Sequence, residues 1–363
     1  MNETEALSAA VRTLRAAAEP FVVATVVRVR GSAYRRPGAR LVIAPSGRFV
    51  GSISGGCLER DLVTRGFFRT EQAAVVVTYD SSSDEGVREG FGLGCDGTVE
   101  VLLERGAAIP DPTDPFLCFE RSLATERTSV LATVFRSARP EIVVGARLLL
   151  HDSGERAVSG FGVVPEIVNE LVQSASQAGA RTSVAEHDGL HVLIEPARPP
   201  PHLFVFGTGH DAVPLVHLAR AAGLRATVCD HEDRLSTRER FGQDARILAG
   251  TTEAAVSALD ATHRAAAVVL GHHFDRDAVA LGALWRSRAR YIGVLGPRVR
   301  TLRLLAACGL DPGALDRLHA PIGLRLGGES PEEVALAIVA EVQQVLAGAT
   351  GGHQKDHPGP IHG

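Results

Sequence analysis

The second half of the chain alternates short apolar runs with stretches of helical period, and this rhythm constrains the fold more than any other feature. The apolar runs are HLFVFG, RATVCD, ARILAG, AAAVVLG and RYIGVLG. Strands that are apolar along their whole length must be covered on both faces, and a helix between consecutive strands makes those strands parallel. We therefore expect an α/β domain built on a doubly wound parallel sheet.

The first half carries a different pattern, in which β-branched runs are separated by Gly, Pro and Ser turns. Apolar spacing and turn signals predict helices at 5–18 and 57–68. Strands are predicted at 21–31, 39–54, 73–80, 98–104, 129–137 and 145–151. This half is therefore expected to be a β-rich α+β domain.

The clearest break in the chain is the run ARPPP at 197–201. Consecutive prolines favour an extended conformation and cannot continue a helix or a central strand, so we interpret this run as a linker. The expected domains are 1–196 and 202–348. The Gly- and His-rich segment 349–363 lacks apolar periodicity and is expected to be disordered.

Composition excludes several classes of protein. The chain is 45% hydrophobic and 22% charged with a formal net charge of -4, which argues against a general nucleic-acid or membrane-surface binder. No apolar run reaches the roughly 18 residues of a membrane span, and the N-terminus has no signal-peptide pattern. The five cysteines are too scattered for a disulfide framework. We expect a cytoplasmic protein whose partners are small molecules or proteins.

A glycine turn opens the second half. The segment FVFGTGHDA has the form G-x-G-x-x-A at Gly207, Gly209 and Ala212, between a predicted strand and a predicted helix. Small residues let a phosphate approach the backbone, and the helix N-terminus offers N–H groups to bind it. Asp230 ends the next strand, where it would bind a ribose hydroxyl and favour NAD over NADP. His210 could reach a phosphate or a reacting group. The alternative is a tight turn that binds nothing.

The first half contains an arginine-rich hairpin, VRVRGSAYRRPGAR. Its guanidinium groups belong to Arg28, Arg30, Arg35, Arg36 and Arg40. Guanidinium groups this close in sequence can bind a phosphate or several carboxylates in bidentate geometry. The alternative is a solvated hairpin end. We take Arg30 and Arg36 as candidate anion-binding residues.

Two glycine-cysteine turns follow the hairpin. One contains Gly55, Gly56 and Cys57, and the other contains Cys95. They are too far apart for a local zinc knuckle, which needs short ligand spacings. Because Cys57 is expected to begin a helix, the helix dipole would stabilise its thiolate. The alternative is a small buried residue at a crowded turn.

Taken together, these segments resemble the XdhC/CoxI family, the accessory factors of molybdenum hydroxylases of the xanthine dehydrogenase and carbon monoxide dehydrogenase type. The motifs, in order, are RGSAYRRPGARLVI, GSISGGCLE, YDSSSDE, GLGC, FGTGHDA, RYIGVLGPR and APIGLRLGGESPEEVALAIVAEV. The resemblance implies a Rossmann-like second domain. It also implies a factor that binds molybdenum cofactor, in its molybdopterin form, and protects it while a cysteine desulfurase supplies sulfur. Delivery to a hydroxylase apoenzyme would follow.

The resemblance further implies a homodimer. We also expect Cys57 and Cys95 to lie within one cofactor-facing cleft, since the glycines before Cys57 leave the backbone open. Cys57 is the candidate molybdenum contact. A second hypothesis, an NAD(P)-dependent oxidoreductase, rests on the glycine turn and on Asp230 alone. Because no acid/base pair for hydride transfer is identifiable beside that turn, we expect a cofactor chaperone that is not itself an enzyme.

Overall fold

The computed structural model describes residues 3–31, 34–80, 97–178, 181–311 and 316–356. These residues fall into two compact units, one of residues 3–199 and the other of the residues from 200 onward. None of the described helices combines the length and apolarity needed to cross a bilayer.

The first unit begins with an antiparallel sheet in the order β3-β2-β1-β5-β4. Its strands are β1 (Phe21–Gly31), β2 (Arg40–Ile43), β3 (Phe49–Gly51), β4 (Val75–Asp80) and β5 (Gly97–Gly106). Strand β1 is apolar on both faces because a helix packs on each. Val11 of α1 (Glu3–Ala16) contacts one face, and Leu62 of α2 (Cys57–Arg69) lies in the core on the other.

A second antiparallel sheet completes this unit, in the order β8-β7-β6-β10-β9. Its strands are β6 (Ser129–Ser137), β7 (Ile142–His151), β8 (Arg156–Phe161), β9 (Ser183–His187) and β10 (Leu190–Ala197). The helices are α3 (Pro115–Thr125), which Asp114 caps through two N–H groups, and α4 (Glu166–Ala178), which buries Val168 and Val172 against the sheet. The predicted β-rich α+β character of the first half is confirmed.

The second unit is built on one parallel sheet in the order β13-β12-β11-β14-β15-β16. The strands are β11 (His202–Phe206), β12 (Arg225–Asp230), β13 (Arg246–Ala249), β14 (Ala265–Val269), β15 (Tyr291–Val294) and β16 (Leu318–His319). The helices are α5 (Ala212–Ala221), α6 (Leu235–Phe241), α7 (Thr252–Asp260), α8 (Phe274–Trp285), α9 (Arg298–Ala307) and α10 (Pro331–Ala347). This Rossmann-like arrangement confirms the expected doubly wound sheet.

Strand β11 lies at the centre of the sheet and is covered on both faces. Val205 packs towards α5 and α10, whereas Phe204 packs into the core that contains α7 and α8. The chain proceeds from β11 towards β13 in one direction and then resumes at β14 on the other side. Such a reversal leaves a crevice at the carboxyl ends of the central strands, where ligands bind in folds of this kind.

Candidate functional site

A cavity of about 570 Å³ occupies this crevice in the second unit. It is lined by residues that follow β11, β12, β13 and β14, together with the beginnings of α7 and α8. The parallel register brings these carboxyl ends to one edge of the sheet, so loops distant in sequence meet around one space. Its position and volume suit a nucleotide-sized ligand.

The two glycines of the turn after β11 have different roles. Gly207 has φ of 139°, and a Cβ there would lie 3.0 Å from the carbonyl carbon of Leu270, so the fold itself requires glycine. A Cβ at Gly209 would lie 3.5 Å from Nε2 of His272, an ordinary contact. Packing therefore does not require glycine at position 209. The absence of a side chain there leaves space on the cavity wall.

The turn that leads into α5 contains two unpaired amides. Within the described residues, the N–H groups of Thr208 and Gly209, which line the cavity, donate no hydrogen bond. Asp211, at the N-cap position, makes no side-chain capping bond. Unpaired amides at the positive end of a helix dipole bind phosphate oxygens well.

Basic side chains surround the cavity mouth. Arg234 and Arg276 lie 2.8 and 3.2 Å from the two ring nitrogens of His231, and Arg240 donates to the carbonyl oxygen of Thr208. His272 and His273 line the same cavity. The mouth is thus suited to anionic ligands.

Asp230 lies at the end of β12, but its carboxylate is already engaged. Its side chain is 2% exposed. Oδ2 accepts a hydrogen bond from Thr237 Oγ1 at 2.8 Å, and Oδ1 lies 3.0 Å from Nδ1 of His231. Asp230 therefore does not present a free carboxylate to a ribose.

An ion pair that was not predicted from the sequence supports the loop after β14. Arg300 donates to Asp277 Oδ2 at 2.5 Å, and Asp277 Oδ1 would lie 1.8 Å from a Cβ at Gly271. Burial raises the pKa of Asp277, although Arg300 opposes that shift. The only sequence signal for this pair is the place of Asp277 in the first turn of α8, just after the two histidines. The pair holds the loop that carries His272 and His273.

The turn before α2 in the first unit is of a different kind. The backbone of α2 begins at Cys57, as predicted, and Gly55 and Gly56 have φ of 84° and 131°. Among the residues that the structure describes, none has an atom within 4 Å of a Cβ placed at Gly56. The turn is therefore open at Gly56, and glycine is required there by backbone conformation and not by crowding.

Glu59 holds this turn in place. Its buried carboxylate accepts hydrogen bonds from the N–H groups of Ile53 and Ser54, both at 2.9 Å, and of Gly56 at 2.8 Å. Burial alone would raise the pKa of Glu59, but the hydrogen bonds from the Ser54 side chain and from the backbone lower it to about 2. Glu59 was not predicted as a site residue, although its place three residues after the N-cap is a capping-box signal.

The arginine hairpin is largely neutralised by carboxylates of its own unit. Arg28 is buried and lies 2.5 Å from Glu186, Arg35 lies 2.5 Å from Glu3, and Arg40 lies 2.7 Å from Glu195. Arg30 is different: its side chain is 68% exposed, with Glu186 at 3.9 Å. Arg36 is also exposed. The hairpin is thus not a single clamp of five guanidinium groups, and Arg30 and Arg36 are the members on its surface.

The remaining predicted site residues have the following positions. His210 is exposed and is not among the residues that line the cavity. Cys95 lies outside the described residues. Within the described ranges, no group of three or more His, Cys, Asp or Glu side chains is arranged to hold a metal ion.

Comparison with known proteins gives matches to both units. The model of the XdhC and CoxI family matches residues 14–80, and that of the XdhC Rossmann domain matches residues 203–342. A protein of Bacillus subtilis described as a probable subunit of xanthine dehydrogenase is 30% identical over 334 residues, which cover 90% of this chain and 93% of that protein. The molybdenum cofactor insertion chaperone PaoD of Escherichia coli is 25% identical over 334 residues, 89% of this chain and 83% of PaoD.

A solved structure has the same fold over nearly the whole chain. It is described as a xanthine dehydrogenase from Bacillus halodurans and is 26% identical, with a TM-score of 0.73. The alignment covers 99% of this chain and 98% of that one. The folds of both units are therefore shared with this relative.

Proposed function

The chain belongs to the XdhC and CoxI family, and from that premise we propose that it is an accessory factor that binds molybdenum cofactor and delivers it to a molybdenum hydroxylase. One support is the alignment of most of the chain with a relative whose name is that of a molybdenum cofactor insertion chaperone. In this proposal the cofactor is the cargo, and the protein performs no turnover on it. A cysteine desulfurase would supply sulfur while the cargo is bound.

The observation that carries the proposal is the open turn at Gly55 and Gly56. Its backbone is held in a conformation that only glycine adopts readily, and no atom of the described residues lies within 4 Å of a Cβ placed at Gly56. Glu59 keeps the turn in this shape without filling that space. Such a turn lets a bulky group approach the start of α2, where the chain places a cysteine.

Cys57 is the residue we propose to contact the molybdenum end of the cargo. A thiolate is a soft ligand that suits a sulfur-rich metal centre. Arg30 and Arg36 would interact with the phosphate of the pterin, because guanidinium groups bind phosphate in bidentate geometry. Cys95 is proposed to lie in the same cleft.

The test compares the protein with its Cys57→Ser variant, both purified from cells that make molybdenum cofactor. Serine keeps the size of the side chain and removes the soft ligand. Bound molybdenum and pterin are measured, followed by activation of a hydroxylase apoenzyme. We expect Cys57→Ser to lose both occupancy and activation. Cys308→Ser is the matched control, because Cys308 is a half-buried cysteine of the other unit.

If Cys57→Ser retains full molybdenum occupancy and activates the apoenzyme normally, Cys57 is only a turn residue. If the unmodified protein carries no molybdenum cofactor under these conditions, the proposed cargo is wrong.

The second candidate function is an NAD(P)-dependent oxidoreductase, which the cavity of the second unit favours. His272 Nε2 lies 3.9 Å from Asp211 Oδ2 beside Gly209, and this pair would have to provide the acid and base. This candidate predicts oxidation or reduction of a nicotinamide by the purified protein with a small substrate. The accessory function predicts that a bound nucleotide keeps its redox state.

A further inference from the structure

In a doubly wound sheet, the residues at the end of β12 determine whether the site prefers free ribose hydroxyls or a ribose phosphate. An exposed carboxylate there accepts hydrogen bonds from the ribose hydroxyls and repels an added phosphate, whereas an arginine nearby accommodates that phosphate. From sequence, Asp230 predicted the first case. The geometry around it points to the second.

Both carboxylate oxygens of Asp230 are already engaged by neighbouring groups. Thr237 binds one oxygen, and His231 and the N–H group of Glu232 approach the other, at 3.0 and 3.5 Å. The side chain is almost fully covered. A ribose that arrives at this strand end therefore meets the partners of Asp230 instead of its free oxygens.

Two guanidinium groups converge where the ribose would lie. Arg234 precedes α6 and Arg276 is in the first turn of α8, yet both reach the imidazole of His231. A neutral imidazole has one acceptor nitrogen, so His231 can satisfy only one of them. The donors of the other remain available to a ligand.

The balance of charge around the cavity favours an anion. Glu232 pairs with Arg234 at 3.1 Å, but within the described residues no carboxylate lies within ion-pair distance of Arg240 or Arg276. Of the carboxylates that line the cavity, Asp230 and Asp277 are held by partners. Asp275 is the remaining one, and Arg234, Arg240 and Arg276 line the same cavity.

We propose that this cavity binds a nucleotide that carries a phosphomonoester on its ribose, of the NADP class, in preference to one with free ribose hydroxyls. The diphosphate would lie on the N–H groups of Thr208 and Gly209, and the added phosphate between Arg234 and Arg276. This inference rests on nucleotide binding in the second unit, which the second candidate function requires and which the G-x-G-x-x-A turn and the cavity support. It is independent of the cargo proposed for the first.

The experiment is a calorimetric titration of the full chain with NADP and with NAD at fixed low salt. NADP is expected to bind at least about tenfold more tightly, because only NADP offers a ribose phosphate to Arg234 and Arg276. One charge-assisted hydrogen bond contributes enough binding free energy for a change in affinity of this size. Arg276→Gln should reduce the ratio of the two affinities by about tenfold. Arg288→Gln is the matched control, because this exposed arginine precedes β15 at the opposite end of the strands, and it should leave the ratio unchanged.

Each other outcome overturns the inference in a distinguishable way. Equal or tighter binding of NAD removes the proposed preference and leaves nucleotide binding in place. Tighter binding of coenzyme A, whose phosphate is on the neighbouring ribose hydroxyl, moves the ligand out of the NADP class. If none of the three binds, both the inference and nucleotide binding in this cavity are wrong, while the molybdenum measurement on Cys57→Ser still tests the cargo independently.

Discussion

The two glycine turns of the molecule have similar local form and opposite electrostatic character. Each follows a strand, contains two glycines and leads into a helix. In the first unit, the carboxylate of Glu59 binds the amides of the turn before α2. In the second unit, no side chain within the described residues binds the amides of Thr208 and Gly209, and arginines surround the space in front of them.

The difference shows that a glycine turn before a helix does not by itself make a phosphate site. An internal carboxylate at the third helical position cancels the positive end of the helix dipole and occupies its donors. The first turn can therefore receive a group that approaches the cysteine, but it repels a phosphate. The second turn keeps its donors for an external anion. The proposed division of labour, cargo in one unit and nucleotide in the other, follows from this contrast.

Glu59→Ala should have the largest effect, because it leaves three amides of the first turn, including the buried amide of Ile53, without an acceptor. We expect the first unit to lose about 3 kcal/mol of unfolding free energy. Hydrogen exchange of the α2 amides measures the loss locally, while the fluorescence of Trp285, the chain's one tryptophan, monitors the second unit. Glu71→Ala removes an exposed glutamate just after α2 and serves as the control. Unchanged protection of the α2 amides in Glu59→Ala would show that Glu59 does not stabilise this turn.

Gly209→Val tests the open turn, and we expect it to lower nucleotide affinity by about thirtyfold without unfolding the second unit. A branched side chain would fill the space that a phosphate needs, at a cost of about 2 kcal/mol. Gly209→Ala is the matched control, since a Cβ there makes only ordinary contact with His272. Equal affinity in a folded Gly209→Val protein would show that the ligand does not approach this turn.

The contrast between the turns was only partly predictable from sequence. The glycine turn of the second unit was found because its motif lies between an apolar strand and a periodic helix, both of which are local patterns. Glu59 is hard to identify from sequence because the N-cap residue is Gly56, which has no side chain to complete a capping box, although the spacing of the two residues fits one. The convergence of Arg234 and Arg276 on His231 depends on the parallel register of distant loops, which no spacing encodes.

The fold, too, was only partly predictable from the sequence. The parallel sheet was predicted because buried strands are apolar throughout. The hairpin of β9 and β10 was missed, although its turn contains Asp188 and Gly189, both with positive φ, which is the signature of a tight hairpin. Helix α4 was missed despite the apolar spacing of Val168 and Val172. Both signals are local and weak beside the polar residues around them, and both elements pack in the core of the second sheet.

Acid should weaken the first turn and spare the second. The pKa of Glu59 is lowered to about 2 from an ordinary value of 4.5, so between these values the unfolded chain binds more protons than the folded one. The contribution of Glu59 is therefore fully present above pH 4.5 and is lost as the pH falls towards 2. Protection of the α2 amides should decline over this range. Glu59→Gln, which does not titrate, should show a flatter dependence, and an equally steep one would assign the acid sensitivity to another group.

We expect the smallest effect from placing a glutamate in α5 at the position that Glu59 occupies in α2. Pro214 occupies in α5 the position that Glu59 occupies in α2, three residues after the N-cap. In Pro214→Glu the new carboxylate can reach back to the free amides and oppose the dipole, and we expect nucleotide affinity to fall about fivefold, or about 1 kcal/mol. Pro214→Gln is the matched control, because an amide can make the same hydrogen bond without the charge. If both variants bind equally, hydrogen-bond competition and not charge distinguishes the turns. If Pro214→Glu binds the nucleotide as tightly as the unmodified protein, the ligand does not use the N-terminus of α5, and the contrast between the two turns has no consequence for phosphate binding.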